Sequence, residues 1–158
     1  MEINIRRIGI EDVSALSVIA RQTFYDTFTG TCTEADMQGF LDQYYSTTQL
    51  GKELLDEETF CFLAEADGEP VAYLQFKETY DNFPEIKKWK ALELKRIYVL
   101  AGFHGKGIAQ KLMDFFLDFA TKKNMKQFGL ECGSIIYGHK NFTENMDLKT
   151  PDIPTIFR

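Results

Sequence analysis

The spacing of apolar residues changes near residue 57, and this change limits the possible folds more than any other feature of the sequence. Between residues 13 and 56, apolar side chains recur at three- and four-residue steps, which is the spacing of one buried helix face. Between residues 59 and 100, apolar and aromatic runs are separated by turn-forming residues, which is typical of strands. With a strand before the first helix and a helix after the last strand, the sequence therefore predicts helices on a sheet.

Capping and turn residues set the expected ends of these elements. Gly30 can end the first helix, Thr33 suits the N-cap of the second, and the segment from Asp67 to Pro70 is a hairpin signal. This order predicts an α/β fold with a mixed, mostly antiparallel sheet and helices on both faces. We place strands at residues 3–8, 59–66, 71–77 and 91–100, a polar loop at 81–90, and helices at 10–30, 33–44, 46–56 and 108–123, with Met37, Phe40, Leu41 and Tyr44 on the inner face of the second helix.

Composition limits the partners. At 158 residues, 44% of them hydrophobic, the chain is long enough for one well-buried domain. Its net charge of -6 disfavours nucleic acid and anionic membrane surfaces as partners and suits a cationic small molecule.

No apolar run reaches the roughly 18 residues of a membrane span, and no signal-peptide stretch begins the chain, so we expect a cytoplasmic protein. Cys32, Cys61 and Cys132 lack C-x-x-C spacing, so we expect free thiols, two of them in the core, rather than disulfides or a zinc site.

A glycine-rich segment joins the last of these strands to the helix after it, in the sequence L-A-G-F-H-G-K-G-I-A at residues 100–109. Glycines let the main chain approach a ligand, and a helix start adds partial positive charge, so such a turn can hold phosphates. By spacing alone, chain reversal is the commoner use. A Walker A loop would need Ser or Thr after Lys106, and a dinucleotide fingerprint from Gly105 would need a small residue in place of Gln110. The turn fits neither motif.

Another phosphate-binding pattern does fit: Arg/Gln-x-x-Gly-x-Gly/Ala, which reads H-G-K-G-I-A from His104 to Ala109. Agreement continues upstream in Q-T-F-Y-D-T-F at residues 22–28, Q-L-G-K-E-L at 49–54 and L-E-L-K-R-I-Y-V at 92–99. On these segments the first 126 or so residues resemble the GCN5-related N-acetyltransferase (GNAT) family, and within it the PaiA-type bacterial spermidine/spermine enzymes. The chain departs from the family at His104, where Arg or Gln is usual, although a histidine can still donate a hydrogen bond.

The resemblance implies an enzyme that moves acetyl from acetyl-CoA to a small amine, with a polyamine the favoured acceptor and no metal. The main chain of Ile97, Tyr98 and Val99 would pair with the pantetheine arm. The pyrophosphate would lie against the turn that follows. The residues implied there are His104, Gly105, Lys106, Gly107, Ile108, Ala109 and Gln110.

The resemblance also implies an acceptor side. Glu93 stands where family members often carry a base that takes a proton from the amine, directly or through water. The alternative for Glu93 is an exposed strand carboxylate paired with a lysine. Tyr25 and Phe28 stand beside the expected acceptor cleft as substrate contacts, and the alternative for both is a place in the core.

The C-terminal part departs from the family pattern from about residue 127. The expected W-L-G-V-W strand and the later F-Y-x-K-x-G-F helix are both missing, and Pro151 and Pro154 exclude regular structure near the end. When the tail is back-translated and read from the last base of each preceding codon, residues 128–134 can spell W-L-G-V-W-E and residues 140–148 can spell K-F-Y-R-K-Y-G-F. We infer from this a frameshifted C-terminus.

The expected organisation follows. We expect an acetyl-CoA-binding core over residues 1–132, with a final strand at 128–132, and an irregular tail over 133–158. A sheet edge exposed by the altered tail would favour pairing with a second copy as a homodimer. The sequence thus leaves open an active acetyltransferase, a catalytically impaired coenzyme A-binding or dimerising remnant, and a regulatory domain that binds a partner without coenzyme A.

Overall fold

The computed structural model describes residues 1–78, 91–123 and 127–130. The expected loop at 81–90, Cys132, the end of the expected strand at 128–132 and the expected tail at 133–158 lie outside these residues. The strands are β1 (Ile3–Arg7), β2 (Thr59–Ala66), β3 (Glu69–Glu78), β4 (Ala91–Val99) and β5 (Gln127–Leu130). The helices are α1 (Val13–Phe28), α2 (Glu34–Tyr44), α3 (Thr47–Leu55) and α4 (Ile108–Lys122), and short 3-10 turns lie at Ile10–Asp12 and Ala101–Phe103.

The strands form one sheet in chain order. β1, β2, β3 and β4 pair antiparallel, and β5 pairs parallel with the first half of β4, from Ala91 opposite Gln127 to Leu94 opposite Leu130. The hairpin between β2 and β3 turns at Asp67 and Gly68, whose φ angles of 52° and 87° lie in the left-handed region that such tight turns require. The predicted sheet, mixed but mostly antiparallel, is confirmed.

Local capping explains why the short helices begin where they do. The Thr33 hydroxyl accepts a hydrogen bond from the Asp36 amide at 3.1 Å at the start of α2. The Ser46 hydroxyl accepts one from the Gln49 amide at 3.2 Å at the start of α3. Each bond satisfies an amide that the first helical turn leaves without a partner, so both starts are encoded locally.

The sheet separates two cores, and each is closed by helices. On one face, the aromatic residues of β2 and β3 pack against α4; Phe76, for example, meets Phe116 edge-on with ring centroids 5.0 Å apart. On the other face, α1, α2 and α3 cover the tyrosines Tyr73 and Tyr98, whose stacked rings lie 5.4 Å apart. Helices therefore cover both faces, as predicted.

The inner face of α2 is narrower than the sequence indicated. Met37 and Leu41 are buried, as expected, whereas Phe40 and Tyr44 are 39% and 40% exposed, so their placement on the inner face was wrong. Phe40 and Tyr44 lie instead at the rim of the helix face that Met37 and Leu41 bury. The Phe40 ring stacks on the Phe24 ring with centroids 4.6 Å apart, and its centroid lies 4.5 Å from that of the Tyr44 ring. They form an aromatic margin that stays partly in contact with water.

Candidate functional site

An extra residue in β4 shapes the centre of the candidate site. Phe76 of β3 lies opposite Leu94, but the preceding residue, Gln75, lies opposite Arg96, so Lys95 is inserted as a β-bulge. The apolar side chains that β4 sends into the α4-side core therefore sit three residues apart, at Leu94 and Ile97, instead of two. The bulge turns the second half of β4 relative to the first.

The second half of β4 has an open edge. The Leu100 amide donates to the Val71 carbonyl at 2.9 Å, and hydrogen-bonded pairs alternate along an antiparallel ladder, so the main chain of Tyr98 points to β3. The N–H and C=O groups of Ile97 and Val99 consequently point to the opposite edge. Among the residues that the structure describes, β5 pairs only as far as Leu94, and no strand covers this part of the edge. An extended ligand could add to it like another strand.

The glycine turn leads directly from this edge to α4. Gly105 and Gly107 have φ angles of 75° and 76°, a conformation that disfavours any side chain, and a methyl group on either would meet only open space. The first helical hydrogen bond of α4 runs from the Lys111 amide to the Gly107 carbonyl at 3.1 Å. The three amides before it, at residues 108–110, therefore lack helical partners, and Gly107 offers no side-chain cap. Together with the helix dipole they can hold an anionic group.

Side chains of the turn are tied to the scaffold. The His104 Nε2 lies 2.8 Å from the Val99 carbonyl and must donate to it, because a carbonyl only accepts. The Lys106 ammonium lies 4.5 Å from the centre of the Phe103 ring, and the Gln110 amide donates to Asp114 at 2.9 Å. His104 thus links the turn to the open edge of β4. What remains for a ligand is mainly main-chain N–H groups and the positive charge of Lys106.

Glu93 is a buried carboxylate on the first half of β4. Only 4% of its surface is exposed, so the alternative of an exposed carboxylate was wrong, although the expected lysine partner is there: the Lys95 ammonium lies 2.9 Å from Oε1. Burial follows from the central position of the strand, with β3 and β5 pairing on either side. Oε2 is buried and, within the described part of the chain, has no hydrogen-bond partner. A buried acceptor of this kind can take a proton from a bound ammonium group.

A buried ion pair next to the bulge was not predicted. The Arg96 guanidinium donates to Glu53 of α3 at 2.6 Å and to the Gln75 side chain at 2.7 Å, and it lies 4.9 Å from the centre of the Tyr45 ring. Burial by itself would raise the pKa of Glu53, but the charge and hydrogen bonds of Arg96 outweigh it and hold that pKa below its ordinary value. The sequence did carry a signal for this arrangement, the three-residue step from Leu94 to Ile97.

Other titratable groups near the site stay protonated. Burial raises the pKa of the Cys61 thiol to about 12, so this cysteine is not a nucleophile at neutral pH. Burial also raises the pKa of Tyr98, and that of Tyr73 well above its ordinary value.

The described residues contain no group of three or more His, Cys, Asp or Glu side chains that could hold a metal ion. None of the helices in the described ranges has the length and apolar character needed to cross a membrane.

Tyr25 and Phe28 lie on α1, at the margin of the core that contains Tyr98. Both are partly buried. The Tyr25 hydroxyl donates to Glu34 at 3.2 Å, and the Phe28 ring lies 4.5 Å from Phe24. Each side chain thus has packing partners and keeps an accessible surface.

Known proteins resemble this chain in sequence and in fold. Residues 21–134 match the model of the Acetyltransferase (GNAT) family. An uncharacterized N-acetyltransferase of Lactobacillus delbrueckii subsp. lactis is 28% identical over 113 residues, which cover 72% of this chain but only 65% of that protein. The spermidine N(1)-acetyltransferase of Thermoplasma acidophilum is 29% identical over 145 residues, covering 89% of this chain and 80% of the relative.

Solved structures also resemble this chain, in fold. The PaiA N-acetyltransferase of Thermoplasma acidophilum, crystallised in complex with coenzyme A, superposes with a TM-score of 0.70 at 23% identity, covering 82% of this chain and 79% of that one. At that identity the likeness concerns the fold. The family match, which spans most of the described residues, confirms the resemblance inferred from the glycine turn and the segments before it. The chain belongs to the GNAT family of acetyltransferases.

Proposed function

We propose that this chain binds acetyl-CoA along the open edge of β4 and transfers the acetyl group to a small amine. The observation that carries the proposal is the continuity of two binding surfaces. The edge formed by Ile97 and Val99 runs directly into the turn at Gly105 and Gly107 and the free amides of α4. A ligand with an extended amide-containing arm and a pyrophosphate matches this sequence of surfaces, because the arm can pair with the strand while the phosphates meet the helix start.

Glu93 supplies the proton chemistry in this proposal. Acetyl-CoA, when bound, provides a thioester whose carbonyl carbon the amine attacks and whose sulfur leaves. An amine attacks only in its neutral form, so its ammonium proton must first go to a base. Glu93 Oε2 is buried and without a partner among the described residues, and Lys95 holds the other oxygen at 2.9 Å. The carboxylate is therefore fixed in orientation with one oxygen free to accept that proton.

We propose a polyamine-like amine as the acceptor. The Thermoplasma relative is named a spermidine N(1)-acetyltransferase, and the negative charge of this chain favours a cationic acceptor. Tyr25 and Phe28 offer partly exposed aromatic faces, which attract organic cations. These observations support the class of acceptor, and a panel of amines with different spacing between charges would identify its preferred member.

A second candidate function is binding without turnover. The observation in its favour is the sequence after residue 127, which lacks the strand and helix motifs that the family carries there. The resemblance implies that the missing segment carries a tyrosine that returns a proton to the leaving thiolate. Such a chain keeps the turn and the open edge, but its tail has no residue that matches this tyrosine. It would bind coenzyme A and release product slowly or not at all.

One pair of measurements separates these functions. Isothermal titration of the purified chain with coenzyme A reports binding, and release of free thiol from acetyl-CoA in the presence of spermidine, putrescine or an aminoglycoside reports turnover. Binding with amine-dependent thiol release supports the enzyme. Binding without thiol release supports the second function, and absence of binding removes both.

A further inference from the structure

We propose that the ion pair between Arg96 and Glu53 is a positioning device: it fixes the bulge of β4 and so decides which main-chain groups face the open edge. The proposal rests on the proposed function, because that edge is where coenzyme A would pair. Neither residue touches the edge. Arg96 points to the α1–α3 side of the sheet, where Glu53 of α3 meets it.

The faces of β4 show what the bulge does for its side chains. Leu94, before the bulge, and Ile97, after it, both lie in the α4-side core. In a strand without the bulge, side chains would alternate strictly, and Arg96 would enter that apolar core while Ile97 would turn away from it. A guanidinium in an apolar core without partners is costly, so the side-chain pattern and the bulge require each other.

The bulge also sets the direction of the main-chain groups. After it, Tyr98 lies opposite Tyr73 and bonds with β3, which leaves Ile97 and Val99 facing the open edge. If the register before the bulge, with Phe76 opposite Leu94, continued unchanged, Ile97 would lie opposite Tyr73. Its N–H and C=O would then bond with β3, and those of Tyr98 would face the edge. One residue of register therefore exchanges the set of groups offered to a ligand.

The ion pair is built to hold one of these two registers. Arg96 donates to Glu53 at 2.6 Å and 3.3 Å and to Gln75 at 2.7 Å, and Gln75 in turn donates to Glu53 at 2.8 Å. The guanidinium and the carboxylate are 17% and 22% exposed, so either charge left alone would be largely out of water. These contacts are available only when Arg96 points to α3, which is the bulged register. Burying this charge with its partners thus stabilises the bulge.

The main variant of the test replaces the ion pair without leaving a buried charge. In the double variant Arg96→Met/Glu53→Met, apolar side chains fill the site, and such replacements often leave stability unchanged. Should the double variant fail to fold, Glu53→Gln keeps the shape and removes one charge. The matched control is Glu65→Gln, which removes the charge from another ion pair of the sheet, that with Arg6 at 2.8 Å, on β2, which does not pair with β4. The readouts are the dissociation constant of coenzyme A and the cross-strand nuclear Overhauser effects, which report whether Tyr98 or Ile97 lies opposite Tyr73.

We expect the double variant to bind coenzyme A at least about tenfold more weakly than the original chain, because small misplacements of a binding edge have large effects. Glu53→Gln should give a smaller loss in the same direction. In both, Ile97 should replace Tyr98 opposite Tyr73, in part of the molecules for Glu53→Gln, whereas Glu65→Gln should leave the affinity and the Tyr98–Tyr73 contact as they were. A folded double variant with unchanged affinity and with Tyr98 still opposite Tyr73 would overturn the proposal.

The strand register keeps this proposal separate from the proposed function. If the original chain does not bind coenzyme A, the proposed function fails, and the register alone decides the role of the ion pair. Ile97 opposite Tyr73 in the double variant, but not in Glu65→Gln, would support the positioning role. Tyr98 opposite Tyr73 in all three proteins would refute it.

Discussion

Gly107 illustrates how a single residue can serve both conformation and access. This residue directly precedes α4 and has a φ of 76°. A side chain on it would project into open space rather than against a neighbouring residue. The cost of a substitution is therefore conformational in the free protein. When a ligand occupies that space, the substitution adds a steric cost, so binding should suffer more than folding.

The first prediction concerns this glycine. Gly107→Ala should lower the free energy of unfolding by about 1–2 kcal/mol, because an L-residue must adopt the left-handed conformation. It should also weaken coenzyme A binding. Gly39, inside α2 with nothing within 4 Å of its added methyl position, is the control: Gly39→Ala should stabilise the protein by roughly 0.5–1 kcal/mol without affecting binding. Chemical denaturation and titration calorimetry measure the two quantities, and equal effects of both variants on binding would contradict the assignment of the turn.

The second prediction concerns Glu93. Glu93→Gln keeps the size of the side chain but cannot take a proton, so the kcat for amine acetylation should fall by about 10²- to 10⁴-fold while coenzyme A affinity stays the same. Glu65→Gln is the matched control, because Glu65 is also a strand carboxylate in an ion pair, with Arg6 at 2.8 Å, but lies on β2. Steady-state thiol release gives kcat for each. A Glu93 variant as active as the control would exclude this carboxylate as the base.

At the scale of elements, the helices and the hairpin could be predicted because their signals are local. Thr33 and Ser46 cap their own helices, and Gly68 permits its own turn, so a few adjacent residues contain the information. The bulge could not be placed in this way, because it depends on how β3 is aligned against β4. Glu93 has the same difficulty: its burial depends on strands and helices distant in sequence.

Two ion pairs, one from Glu53 in α3 and one from Asp56 just after it, tie this end of the helix to the sheet and give the third prediction. Arg96 and several hydrogen bonds, acting against burial, hold the pKa of Glu53 below its ordinary value of 4.5, and the hydrogen bond from Lys77 lowers that of Asp56 below 3.8. A lowered pKa in the folded state means that the contribution to stability is present above the unfolded-state pKa and is lost as the pH falls through the folded-state pKa. The Tm should therefore decrease as the pH is lowered from about 5 to about 3.

The variant Glu53→Gln provides the check on this acid sensitivity. It has no carboxylate at residue 53 to protonate, so its Tm should depend less on pH over the same range than that of the original chain, even though its Tm at neutral pH is lower. Thermal unfolding followed by circular dichroism at several pH values measures both curves. Parallel curves for the two proteins would show that Glu53 does not contribute to the acid sensitivity.

At the scale of the whole molecule, the described residues contain the turn and the open edge and end with β5. The motifs that the resemblance leads us to expect come after that point. The described part of β5 runs parallel to β4 from Gln127 to Leu130, and the sequence motifs expected from there on are missing. The hypothesis of a shifted reading frame would account for this, because the missing motifs can be spelled in order. The family match itself continues to residue 134, and the Thermoplasma relative aligns over 145 residues, so similarity does not end at residue 126.

The fourth prediction follows from that hypothesis. In the encoding DNA, the bases read one position earlier from about codon 127 should spell W-L-G-V-W-E followed by K-F-Y-R-K-Y-G-F, in place of the residues at 128–134 and 140–148. A gene with one base inserted or removed at that point should then produce a chain whose C-terminal part carries the missing motifs. The resemblance implies that this part completes the cofactor site, so we expect the restored chain to bind coenzyme A more tightly and to release thiol faster with the same acceptors. DNA whose third bases do not spell these segments would refute the frameshift. A restored chain without faster turnover would show that residues 1–126 already contain all that determines its activity.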